Sequence, residues 1–134
     1  MKPKFPGFKK CMAMMRKSNP QTLENGFHWL QARAREHVRD LIEAFGEEDD
    51  LSVRCCLLEL IGSAKSPDAF DFLAGQLRTT DQPLRRWAIW GLKNLGTKES
   101  RTLLWQARSY TFETPEETEA FRSDLYAVMN IQQW

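Results

Sequence analysis

Few side chains in this sequence could carry out chemistry, and their spacing keeps them apart. His28 and His37 are nine residues apart, which at about 100° per residue sets them roughly 180° around a helix from each other. They cannot share a metal ion or act together on one face. The Glu36–His37 pair does not complete an HExxH pattern, and no phosphate loop, nucleophile elbow or dinucleotide fingerprint occurs. Of the three cysteines, Cys55 and Cys56 are neighbours and Cys11 is distant. That arrangement describes neither a disulfide framework nor a zinc site, and it fits a reducing compartment. A reactive thiol needs a neighbour that favours the thiolate, and Arg54 alone is a weak one. The reading is a protein that is not an enzyme, with no catalytic residue, no cofactor and no metal.

Recognition is the remaining chemistry, and it centres on tryptophan. Trp87 and Trp90 lie three residues apart in DQPLRRWAIWGLKNLG, so on a helix they share a face, although a surface helix normally hides only one apolar stripe. Charge offers no global guide. A net charge of +1, with 42% apolar and 28% charged residues, is ordinary for a soluble domain and pushes toward neither nucleic acid nor membrane. No apolar run approaches the roughly 20 residues that span a bilayer. The basic N-terminus has only CMAMM as an apolar stretch, too short for an export signal. A soluble, cytoplasmic chain is expected.

The elements that position these residues follow from an internal repeat of about 31 residues. Setting Leu51–Leu77 over Gln82–Arg108 without a gap places Val53 on Leu84, Arg54 on Arg85, Leu57 on Ala88, Ile61 on Leu92, and Phe72 and Leu73 on Leu103 and Leu104. The same step backward places Leu41 and Ile42 on Phe72 and Leu73, and Asp40 on Asp71. Each unit holds one helix from about Val53 or Leu84 and a second from about Pro67 or Glu99. Asp50, Asp81 and Ser66 are N-cap candidates, Pro67 suits a first helical position, and Gly96 suits a left-handed stop. Upstream, Phe27 to Phe45 reads as one helix with Leu30, Ala34, Val38, Leu41 and Phe45 on one face. Downstream, Thr114 and Pro115 open a last helix that buries Phe121, Leu125 and Val128.

A helix pair of this length cannot bury its own apolar face, so the units must stack. The expected fold is all-α: a short right-handed α-solenoid of about three to four helix pairs. Residues 1–20 are expected to form a basic arm and residues 21–134 a single domain. Its units are approximately 27–49, 50–80 and 81–112, with a C-terminal helix over 115–131. The pattern D-x-x-[VL]-R-x-x-[AL]-x-x-[GL]-[LI], seen from Asp50 to Ile61 and from Asp81 to Leu92, resembles the bacterial HEAT-like repeats of the phycobilin-lyase type. That resemblance embraces scaffolds, lyases, DNA alkylbase glycosylases, and inhibitors such as toxin-immunity proteins, and fold alone does not decide among them. It also implies that second helices line the concave side.

The overlay separates the two tryptophans. Trp87 falls on Cys56, a commonly buried type, and is expected to pack between helices. Trp90 falls on Glu59, a solvent slot, so it is either covered by an end segment or offered to a partner. Arg86 lies one turn before it and completes an interaction candidate. The second helices contribute His37, Asp40, Asp68, Asp71, Arg78 and Glu99, a mostly acidic stripe thickened by Glu43, Glu47 and Glu48. Such a stripe repels phosphate and steers a basic protein toward it. Arg54 and Arg85 each follow an aspartate by four residues and are expected to pair locally or with the adjoining repeat. The arm carries six basic residues and no acidic one. It could hold nucleic acid or an acidic lipid surface, lie on the protein's own acidic groove, or fray.

The expected function is to bind and block a basic partner protein, as a bacterial immunity or inhibitor protein of a nuclease-type toxin would. The partner-binding residues are then Asp40, Asp68, Asp71, Arg78, Arg86, Trp90, Glu99 and Trp105, and the unbound chain is a monomer without a membrane role. The alternative is a nucleic-acid-binding or base-repair protein. It would need the arm, Arg85, Arg86 and Lys93 to form one basic face, or Asp71, Trp90 and Trp105 to converge around a base.

Overall fold

A computed structural model describes residues 4–130. The first residues of the expected arm, position 131 of the expected last helix and the end of the expected domain lie outside that range. Among the described residues there are eight α-helices and no strand: α1 (Phe8–Met15), α2 (Pro20–Ala32), α3 (Val38–Glu47), α4 (Leu51–Ser63), α5 (Phe70–Gln76), α6 (Gln82–Leu95), α7 (Lys98–Ala107) and α8 (Pro115–Met129). They form a short helical solenoid. One layer runs α2, α4, α6, α8, each in contact with the next. The other layer holds the return helices α3, α5 and α7, and Phe45 of α3 meets Phe72 of α5 edge to face at 5.2 Å.

Local sequence sets the helix starts. Asn19, Asp50, Asp81, Thr97 and Thr114 each accept a hydrogen bond from a first-turn backbone N–H of the helix they precede, each cap contributing about 1 kcal/mol. Ser66 does the same for the 3-10 turn Pro67–Ala69 that leads into α5. Gly96 ends α6 at φ +68°, a conformation that costs a residue without Cβ nothing.

Two expectations about the N-terminal third need correction. The single helix over Phe27–Phe45 is two helices: α2 begins at Pro20, and a 3-10 turn over Ala34–His37 separates it from α3. All five expected core residues are nevertheless buried, at 1% for Leu30, 2% for Ala34, 4% for Val38, 0% for Leu41 and 2% for Phe45. The chain bends at Arg33 (φ −118°) and His37 (φ −123°), which lets one apolar stripe wrap α4 from both layers. The expected basic arm, in turn, contains α1, packed along α2 with Cys11, Met12 and Met15 buried. Lys9 and Lys10 lie on the wet side of this amphipathic helix.

The core is continuous from α1 to α8. A close crossing joins α4 to α6, where a Cβ on Gly62 would stand 2.9 Å from the Gly91 Cα. Only residues without a side chain allow these backbones to approach so closely.

Candidate functional site

Asp40, Asp68, Asp71 and Glu99 are all exposed, on the return layer and the 3-10 turn leading into it. Their surroundings differ. His37 donates its Nδ1–H to Asp40 Oδ2 at 2.9 Å, and Phe8 stacks on the His37 ring. The cleft beside Asp40 is lined by Lys9 and Arg16 of the α1 segment facing Glu43 and Glu47, and Arg16 pairs with Glu48 at 2.9 Å. The N-terminal end of the stripe is thus offset in part by the chain's own cations. Asp68, Asp71 and Glu99 have no such side-chain partner among the described residues.

Between α5 and α7 lies a cleft of about 550 Å³, with Phe70 and Leu103 as its apolar walls and Lys98, Glu99, Thr102 and Gln106 around them. Helical geometry puts Glu99, Thr102, Leu103 and Gln106 on the flank of α7 that faces α5. Trp105 is on the other flank, 59% exposed, with the Arg108 guanidinium 3.2 Å from its ring centre. Its immediate setting is therefore cationic.

Trp90 belongs to the opposite layer. It and Trp87 are half-buried and meet edge to face at 5.4 Å, and the Trp90 ring edge lies over Gly62. That space above a glycine is why tryptophan fits a position that holds glutamate one repeat earlier. With Pro83, Arg86 and Val128 the two rings line a groove of about 400 Å³ between α6 and α8. The acidic stripe and Trp90 therefore do not form one surface, although the sequence groups them.

Both expected partner-binding arginines are engaged within the chain. Arg78 lies 4.1 Å from the Tyr110 ring centre and donates to the Thr111 carbonyl, which ties down the segment before α8. Arg86 donates Nε to Asp124 Oδ1 at 2.8 Å. Asp124 also accepts from Gln82 at 3.1 Å and from Arg85 Nε at 2.7 Å, and it is fully buried. Burial alone would raise its pKa, but the hydrogen bonds from Arg86, Arg85 and Gln82 outweigh burial and hold it below the ordinary value. The sequence reading missed Asp124. The only hint was an acid on the apolar stripe of α8, between Phe121 and Leu125. Arg85 thus pairs with α8 rather than with Asp81, and Arg54 lies over the Phe45 ring at 4.1 Å rather than beside Asp50.

His28 faces Glu24 at 3.3 Å, while His37 faces Asp40. Burial pushes the Cys56 thiol up, with Glu59, Cys55 and Asp50 adding to the shift. Cys55 is likewise raised by burial and by Asp81, against an opposing Arg54, so neither favours thiolate. No group of three or more potential metal ligands occurs among the described residues, and no helix among them is long and apolar enough to cross a membrane. Among the described residues the single basic face that nucleic-acid binding would need is not assembled: Arg85 is buried at 5% exposure and α1 packs on α2, two helices along its layer from α6. Trp90 lines a groove to which neither Asp71 nor Trp105 contributes.

No curated protein matches the chain. The family model described as HEAT repeats matches residues 38–112, more than half of the chain, from the start of α3 through the segment that follows α7. The match spans the stacked pairs, the α5–α7 cleft and the capped helix starts that the repeat overlay aligned. This chain belongs to the HEAT repeat family.

Proposed function

We propose that this chain is a non-enzymatic protein-binding module whose return layer covers a basic surface of a partner protein, as an inhibitor or immunity protein does. HEAT repeats commonly mediate protein–protein interaction. The observation that carries the finer reading is the trio Asp68, Asp71 and Glu99, exposed and without side-chain partners among the described residues, beside a cleft with Phe70 and Leu103 in its walls. Unpaired carboxylates next to apolar surface suit a partner that brings lysine or arginine around an apolar anchor. Lys98 is the one opposing charge on the cleft rim. Asp40 contributes less, because His37 and the basic residues of the α1 segment already face it. Trp105 and Arg108 edge the same layer. Blocking is steric, the chain is monomeric until it meets its target, and it acts in the cytoplasm.

The test compares proteins retained from native lysate by the wild-type chain and by a variant carrying Asp68→Lys, Asp71→Lys and Glu99→Lys. A basic protein held by the first and lost from the second supports the reading. Identical retention by both, or retention of acidic proteins only, overturns it.

A further inference from the structure

We propose that the groove between α6 and α8 is a second recognition site, opposite in sign to the first, that takes an acidic peptide segment with a large apolar anchor. Four of its five lining residues, Pro83, Trp87, Trp90 and Val128, are apolar, and the fifth is Arg86. The perpendicular rings of Trp87 and Trp90 form a corner, and such a corner offers a side chain a face and an edge at once.

The rim decides what can occupy the groove. The Arg86 side chain is 48% exposed and uses only Nε on Asp124, so both terminal nitrogens lack a partner among the described residues. Lys93 is exposed and donates Nζ to the carbonyl of Val128, a groove residue, at 3.2 Å. The carboxylate that Arg86 meets, Asp124, is fully buried beneath Arg85 and Arg86 and presents no charge to the groove. Among the described residues Arg86 is the one charged residue of the groove lining, and Lys93 adds a second cation at its edge. A basic segment would be repelled, and an acidic one gains steering and rim contacts while its apolar residue fills the corner.

A nucleic-acid strand fits less well. It needs a track of phosphate contacts and open ring faces for successive bases. Here there are two cations, one of them shared with Asp124, and both rings are half-buried, one lying over Gly62.

The experiment selects short random peptides by display on the full wild-type chain and measures the affinity of the selected peptides by fluorescence titration. The expected selection is enriched in aspartate and glutamate around a large apolar residue. Val128→Glu and Lys93→Glu place negative charge at the groove without touching the Arg85–Asp124 pair, and each should weaken binding roughly tenfold or more. Trp90→Ala should weaken it roughly thirtyfold, as expected for loss of an aromatic anchor. Arg39→Glu, an exposed charge change on α3, should leave the affinity unchanged. Thermal unfolding of each variant separates loss of binding from loss of fold, and the two charge variants keep the test valid if Trp90→Ala does not fold. The proposal is overturned if no peptide is selected, if the selected peptides are basic, or if binding ignores the groove variants. It is also overturned if a thymidine oligonucleotide binds in a groove-dependent way that the peptides do not match, or if a chain ending at Asn130 gains peptide affinity because residues 131–134 had filled the groove.

Discussion

Arg85 of α6 and Asp124 of α8, 39 positions apart in sequence, share a buried hydrogen bond of 2.7 Å. Their side chains are 6% and 0% exposed. This pair fastens the last helix to the stack, and it makes one partner costly to remove without the other. Asp124→Ala should destabilise the chain by about 3 to 5 kcal/mol, because it strands a buried guanidinium. Arg85→Met combined with Asp124→Leu should recover most of that loss, since apolar residues of similar volume need no counter-charge. Chemical denaturation of the single and double variants checks both statements.

The same pair sets an acid limit. Asp124 titrates in the folded chain below the ordinary value of 3.8, so its folded pKa is depressed relative to the unfolded one. Its contribution is fully present above the unfolded value and is lost as the pH falls through the folded one. Wild-type stability should therefore drop on acidification below about pH 4 more steeply than that of Asp124→Asn. Thermal unfolding across that range, with hydrogen exchange on α8, reads the difference.

Gly62 and Gly91 test the closeness of α4 to α6. Alanine normally gains about 1 kcal/mol over glycine inside a helix. At Gly62 the new Cβ would stand 2.9 Å from the Gly91 Cα, and at Gly91 it would stand 3.1 Å from the Gly62 Cα. Backbone cannot move aside as a side-chain tip can, so overpacking at about 1 to 3 kcal/mol outweighs the propensity gain. Gly62→Ala should lower the melting temperature, and a rise would show that the helices have slack.

α1 should behave as part of the core. Met15, at 2% exposure, should cost about 2 to 5 kcal/mol when replaced by alanine. Lys10→Gln, on the wet side, should change stability by less than about 0.5 kcal/mol. Urea denaturation distinguishes this from an arm, for which both changes would be silent.

Charge reversal tests the return layer by rate. Asp71→Lys and Glu99→Lys, each made singly, should slow association with the basic partner by roughly threefold or more at low ionic strength, with the gap closing as salt is added. Asp40→Lys should slow it less, because His37, Lys9 and Arg16 already offset that carboxylate. Stopped-flow association rates at two salt concentrations give the comparison, and equal effects at all three sites would contradict the geometry.

By itself the sequence determined the repeating helix pairs, the caps at Asp50, Asp81, Ser66 and Thr114, the stop at Gly96 and the apolar stripe from Leu30 to Phe45. These depend on contacts within a few residues, or on a periodicity that any stacking must bury. Only the tertiary structure decided that the stripe bends at Arg33, that α1 joins the core, and that Asp124 answers Arg85 and Arg86 from the face of α8 that packs on α6. It also decided that Trp90 and the acidic stripe lie on different layers and that the α1 segment brings Lys9 and Arg16 to the stripe beside Asp40. Each of these is a pairing between segments far apart in the chain. A local pattern shows that a charge or a ring must find surroundings, but which partner it meets depends on how the layers stack.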